Sequence, residues 1–401
     1  MLHIASGVPL RNTVVLSAAQ AINGAVAPLS IALGGLVGLY LLGSDKSLAT
    51  APITGYNIGV AIAALPAAML MSRVGRRRGF ISGAFIGIAG LALCSYSVLI
   101  GSFWLFAVGM LLNGTSGSFV QQYRFAAADL GDEQQRARAI SWVLAGGVFA
   151  AIIGPQLIIH TKDLFLPVQF AGAFFAGIGL LAIGIVILCF LREQGPRVPR
   201  KHVDRSNQGR PLLEIASQPK FFIAVLCAVG AYGLMSFVMT GAPLAMVECG
   251  ISIVDATLGI QWHVIAMFAP SFFTGELIAR FGKERVVAAG LIILSLSAVV
   301  ALTGLDLWRF WAALILLGVG WNFGFIGATA MLTDSYRPEE KSRAQGLNDF
   351  VLFSSVALAS LMSGQVLNTV GWTALNIIVF PVVALCLCGL AYLWRKQASA
   401  S

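Results

Sequence analysis

Runs of about 20 apolar residues recur along almost the whole chain, parted by short polar stretches. A helix of that length spans a hydrocarbon core of roughly 30 Å. In lipid each backbone N–H and C=O must be satisfied within its own segment, so such runs have to be helices. Twelve are present, over 13–41, 52–71, 80–100, 103–128, 139–160, 166–191, 221–246, 256–279, 286–304, 308–333, 344–369 and 372–394. The first is too long for a cleavable signal peptide and lacks a small-residue cleavage site. A soluble alternative would need polar residues to cover its core. This chain is 58% hydrophobic and only 11% charged, against about 25% charged in ordinary soluble domains.

The charge that remains is sorted by side. With the N-terminus assigned to the cytoplasm, 22 of the 26 Lys and Arg fall on the cytoplasmic side, leaving Lys46, Lys162 and Arg309 opposite and Arg124 inside a helix. That asymmetry fits an even number of crossings with both ends cytoplasmic. The net charge of +9 is therefore a topology signal, with no basic soluble domain to bind nucleic acid. The six cysteines show no metal-ligand or disulfide spacing.

The long polar stretch Arg192–Lys220, rich in Pro, Gly, Arg and Ser, reads as a flexible cytoplasmic linker. It predicts a first unit over 1–195, a linker over 196–219 and a second unit over 220–401. The two units repeat each other. "SRVGRRR" (Ser72–Arg78) matches "ARFGKER" (Ala279–Arg285), and "DLGDEQQRAR" (Asp129–Arg138) matches "DSYRPEEKSR" (Asp334–Arg343), at offsets of 207 and 205 residues. Parallel six-helix repeats are a transporter plan with the solute site near the midplane between them.

On these motifs the chain resembles the major facilitator superfamily over its full length. That family's loop signature G-x-x-x-D-R-x-G-R-R is matched by Arg73, Gly75, Arg76 and Arg77, with Ser72 in place of the Asp and Ala68 in place of the first Gly. The second copy keeps Gly275, Arg280, Gly282 and Lys283, with Ala279 for the Asp. Gly154–Pro155 resembles the fifth-helix Gly-Pro motif, while Met110 stands where antiporters carry an Arg. The resemblance implies an all-α integral membrane fold of twelve helices in two pseudo-symmetric six-helix bundles, working as a monomer by rocker-switch alternation. It also implies that Arg73, Arg76 and Arg77 lie near Asp129, and Arg280 and Lys283 near Asp334. With Arg138 and Arg343, such pairs would latch the bundles on the cytoplasmic side of an outward-open state. The competing reading is that these basic residues only set orientation.

Ionisable residues within the membrane mark function by default. Arg124 lies five residues before Asp129, and Asp349 six after Arg343, so both fall in the cytoplasmic half. Arg124 is expected either to pair with Asp349 across the bundles, to bind an anionic solute, or to snorkel to the surface. Proton coupling needs a group whose proton affinity changes with access. A carboxylate that loses water holds its proton more tightly, and one beside an arginine releases it more readily. Asp349, moving toward or away from Arg124, meets that need, and His263 is a second candidate.

Neutral polar and aromatic residues suggest a cavity lining: Gln20, Asn23, Tyr56, Asn57, Asn113, Gln121, Gln122, Tyr123, Trp142, Gln156, Tyr232, Gln261, Trp262, Trp321 and Asn322. Part of this set is expected to serve as interhelical hydrogen bonds instead. Amides and aromatics suit a planar, hydrogen-bonding, neutral or anionic organic solute. No nucleophile set, metal-ligand spacing or phosphate loop is present, so no enzyme, metal or cofactor is expected. The phrases "QQYRFAAAD", "QWHVIAMFAPSFFTG" and "GWNFGFIGATAMLTD" resemble a bacterial branch of the superfamily, which implies an inner-membrane location and uptake of a vitamin such as riboflavin. Proton-driven drug or metabolite efflux, and a receptor that binds a solute without moving it, stand as rivals.

Overall fold

The computed structural model describes residues 8–43, 48–128, 133–192, 210–337 and 340–398. Among them the regular elements are all helical. The first half of the chain contributes α1 (Val8–Asn23), α2 (Val26–Leu42), α3 (Ala51–Val74), α4 (Arg76–Leu99), α5 (Phe103–Gln121), α6 (Tyr123–Ala128), α7 (Glu133–Thr161) and α8 (Ala171–Cys189). The second contributes α9 (Leu212–Ala216), α10 (Pro219–Glu248), α11 (Ile253–Phe268), α12 (Ser271–Phe281), α13 (Lys283–Leu302), α14 (Leu307–Thr333), α15 (Lys341–Ile377) and α16 (Val379–Ala398).

Nine helical stretches among the described residues are long and apolar enough to cross a membrane, and ten when the bent pair α11–α12 counts as one. The twelve runs do not map onto them one for one, for two local reasons. The apolar part of α7 is short, Ala145–Thr161, because its first turns carry Glu133, Gln134, Gln135, Arg136 and Arg138. The last stretch, Arg343–Lys396, holds 54 residues, about 80 Å if straight and over twice a bilayer core. It is not straight, since Gly371 sits inside it at φ 86°, ψ 179°.

The two loop-signature copies fold alike. Gly75 ends α3 and starts α4 at φ 88°, ψ 160°, and Gly282 ends α12 and starts α13 at φ 89°, ψ 155°. Only glycine adopts that backbone at low cost, so the glycine is the residue that the turn's backbone demands in both copies. A Cβ on Gly282 meets open space, which makes the penalty one of backbone strain alone. Gly282→Ala is expected to destabilise the protein by about 1–3 kcal/mol, measured by thermal unfolding in detergent.

The break between α11 and α12, 42° in angle, falls at Ala269–Pro270. Proline cannot continue the N–H ladder, and the bend frees the carbonyl of Met267. Asn322 of α14 repairs it. Its Nδ2 donates to Met267 O (2.6 Å) and to Ser271 Oγ (2.7 Å), while its Oδ1 accepts from Thr274 Oγ1 (2.6 Å). Asn322 is fully buried, so it braces a broken helix and is absent from the cavity where the sequence had suggested it.

Alternation of the helices puts the Gly75 and Gly282 turns, the end of α14 and the start of α10 on one face, here called the basic face. Lys220 and Lys283 both reach Asp334 there, at 3.2 and 2.6 Å. The last described residues of the linker are tied down on the same face. Arg210 grips the buried Glu340 with Nε to Oε1 (2.9 Å) and Nη2 to Oε2 (2.8 Å), and the backbone N–H groups of Arg210 and Arg337 donate to the same carboxylate. These bonds, the Arg210 guanidinium first, hold Glu340 below the usual carboxylate range. Residues 196–209 of the expected linker lie outside the described residues, as does Asp129.

The halves of the chain meet along α3 against α15, α7 against α11, and α2 against α10 and α11. The side-chain hydrogen bonds at these contacts lie toward the face opposite the basic one. Thr54 Oγ1 and Ser360 Oγ are 3.3 Å apart, Asn57 Nδ2 donates to Ser360 Oγ (3.1 Å), Thr50 Oγ1 to Leu361 O (3.4 Å) and Gln156 Nε2 to Gln261 Oε1 (2.9 Å).

Candidate functional site: a cavity between the halves

Below that seam is a cavity of about 210 Å³ lined by both halves of the chain. Seven of the residues that the sequence suggests line it: Gln20, Asn23, Tyr56, Asn57, Asn113, Gln121 and Tyr232.

Helix packing has already committed some of these amides. Asn23 Nδ2 donates to the buried Tyr123 hydroxyl (2.9 Å), which stands behind Asn23 and packs edge-on against Phe80. Asn113 Nδ2 donates to Ser30 Oγ (2.7 Å), and Asn57 is held by Ser360. The carboxamides of Gln20 and Gln121 have no hydrogen-bond partner among the described residues.

The cavity walls differ in chemistry. Polar lining side chains come mostly from the first half of the chain. The second half supplies Met235, Met239, Val264, Met267, Phe268, Phe353 and Val356, with only Tyr232 and Ser236 polar. Tyr232 and Phe353 of this wall belong to an aromatic cluster that continues behind it. Tyr232 meets Trp321 and Phe325 edge-on at 5.3 and 5.1 Å and Phe353 at 6.2 Å, while Trp321 and Phe325 stack at 5.3 Å. Trp321 therefore shapes the cavity from the second layer.

Arg124 and Asp349 stand at the basic-face lip. Arg124 follows the lining residue Val120 by four positions, and Asp349 precedes the lining residue Phe353 by four, so each is one helical turn outside the cavity. Both are exposed. They lie within Coulombic range of each other across the two halves, and Arg124 is within range of Tyr232. Tyr232 is in turn within range of Tyr56. Asn348 Nδ2 donates to Asp349 Oδ1 at 3.0 Å. A sequence of polar groups thus runs from mid-cavity to the lip, alternating between the halves.

Other expected site residues lie elsewhere. Trp142 is 64% exposed near the start of α7, and Trp262 is exposed beside Gln261; neither lines the cavity. Gln261 belongs to the seam through Gln156. His263 is fully buried between α11 and α14, with Nδ1–H donating to Leu314 O at 2.7 Å. In this conformation it therefore lies away from the cavity.

Of the loop residues, Lys283 pairs with Asp334 inside the second half, while Arg280 lies over the ring of Phe281 at 5.3 Å. Partial burial pushes Asp334 up, but the hydrogen bonds from Lys283 and Lys220 outweigh it and leave the carboxyl below its ordinary range. Arg73 and Arg343 are exposed, and Arg76 and Arg77 are half-buried at the start of α4. The Arg138 side chain, like Asp129, lies outside the described residues.

The signal for the methionine wall was present in the sequence. Tyr232, Met235 and Met239 fall at i, i+3 and i+7 on α10, one face of a helix. In an unbroken apolar run, thioethers look like packing.

A cavity between two helical halves, bonded together on one face and bearing exposed charges toward the other, is the arrangement of a membrane solute carrier. The family model "Major Facilitator Superfamily" matches residues 13–270 and 242–401. The chain is 48% identical over 393 residues to the riboflavin transporter RfnT of Brucella anthropi, covering 98% of each protein. It is 32% identical over 378 residues to the uncharacterised MFS-type transporter YddS of Bacillus subtilis, covering 90% of this chain and 86% of that one. The crystal structure of the nucleoside transporter NupG superposes with a TM-score of 0.73 at 13% identity, over 96% of this chain and 98% of that one, which is a likeness of fold. The chain belongs to the major facilitator superfamily, a family of transporters and not of enzymes.

Proposed function

We propose that this protein carries riboflavin into the cell across a bacterial inner membrane, coupled to protons, by alternating access between two six-helix bundles. The observation that carries the substrate is the end-to-end 48% identity to a riboflavin transporter. The cavity is consistent with it, since free amides and a methionine–aromatic wall suit a flat heterocycle with a polar edge.

Twelve crossings follow if α7 spans despite its short apolar part and the Arg343–Lys396 stretch crosses twice about Gly371. The basic face is then cytoplasmic, with both chain ends on it. The seam Thr50–Leu361, Thr54–Ser360 and Gln156–Gln261 closes the outer side, so this conformation faces inward.

The test is uptake of labelled riboflavin by right-side-out vesicles with an imposed inward proton gradient. Accumulation above the outside concentration, lost when the gradient is collapsed, is the expected result. Extrusion would overturn the direction, and binding without flux would identify a receptor.

A further inference from the structure

Resting on the riboflavin reading, we propose that the flavin lies in one orientation, with the polar edge of its ring on Gln20, its ring face on the methionine wall, and its ribityl chain on Gln121 toward the basic face. The two amides free of partners differ in depth. Gln20 is twelve residues into α1, about 18 Å along it, whereas Gln121 is seven residues from the end of α6, about 10 Å from the basic face.

The apolar wall is at the deeper level. Met235 is sixteen residues, about 24 Å, into α10, and Met267 is fourteen, about 21 Å, into α11 from the opposite side. Thioethers pack well against aromatic rings, so a tricyclic ring gains most by stacking there. Its pyrimidine-dione edge presents an N–H donor beside a carbonyl acceptor, which one carboxamide satisfies with its own acceptor and donor. Gln20 is the amide at that depth with both atoms unclaimed.

The hydroxylated chain would leave its hydroxyls without partners against methionine. Running toward the basic face, it meets Gln121 and the polar lip. The reversed orientation buries the hydroxyls against the thioethers and leaves the ring edge at the wet end.

Flavin fluorescence titration of the purified protein separates the subsites, using riboflavin and lumiflavin, which carries a methyl group in place of the ribityl chain. Gln20→Leu is expected to weaken both ligands about tenfold, the loss of one or two neutral hydrogen bonds. Gln121→Leu is expected to weaken riboflavin about tenfold and lumiflavin less than about twofold. Isosteric Gln20→Glu and Gln121→Glu repeat the comparison if a leucine variant does not fold. Lumiflavin indifferent to Gln20, or as sensitive to Gln121 as riboflavin, overturns the orientation and leaves the transport reading standing. Native protein that binds neither flavin overturns both.

Discussion

Asp349→Asn is expected to abolish proton-driven accumulation of riboflavin while preserving exchange of riboflavin across the membrane. Accumulation requires a group that takes up a proton in one conformation and releases it in the other. Among the groups at the cavity and its lip, Asp349 is the carboxylate, on α15, exposed and in Coulombic range of Arg124 from the other half of the chain. A motion that reopens the opposite face changes the separation of α15 from α6 and with it the Arg124–Asp349 distance. Asparagine keeps the shape and the contact to Asn348 but has no proton to release. One proton coupled across a one-unit pH gradient supports about a tenfold accumulation ratio, and the variant is expected to stop at a ratio of one. Exchange needs only movement of the loaded carrier and continues. Native accumulation in the variant would remove Asp349 from coupling.

That the chain is built of long apolar helices was legible because lipid imposes a length and a backbone rule that any sequence must obey. The Gly75 and Gly282 turns were legible as a pair for the same kind of reason, since one backbone conformation demanded one residue type twice. Which way each helix turns was much less legible. A soluble helix declares its buried face by contrast with a polar one, but these helices meet lipid on one side and protein on the other, and both are apolar. Trp142 and Gln20 therefore looked equivalent, although one is 64% exposed and the other lines the cavity. In sequence Asn322 resembles a solute contact, because an amide in an apolar run needs a reason. Its reason is the carbonyl freed at Pro270, far away in sequence. The Arg210–Glu340 pair leaves no local signal in the sequence, because it joins the polar stretch between the halves to a loop 130 residues later.

Gly364→Val is expected to reduce transport more than tenfold by holding the opposite face open. Gly364 lies on α15 where it crosses the start of α3, and both it and Thr50 are buried. A Cβ built at Gly364 overlaps Thr50 Oγ1 and comes within 2.7 Å of its Cγ2, closer than real atoms approach. Thr50 cannot easily withdraw, because its hydroxyl donates to Leu361 O at 3.4 Å and its carbonyl accepts from Thr54. Overpacking of this kind costs about 1–3 kcal/mol. The cost falls only on the conformation in which α3 and α15 are pressed together, so the protein avoids it by populating the other. A bias of 1.4–3 kcal/mol toward the open seam leaves roughly a tenth to a hundredth of the molecules able to close it, and turnover needs both states. In a variant whose native cysteines are replaced, a cysteine at Asn57 should react faster with an impermeant thiol reagent from the outer side once Gly364→Val is added. Unfolding is distinguished by riboflavin binding, which the open-seam state retains. Unchanged labelling with lost transport would show that Gly364 acts by some route other than closure of the α3–α15 seam.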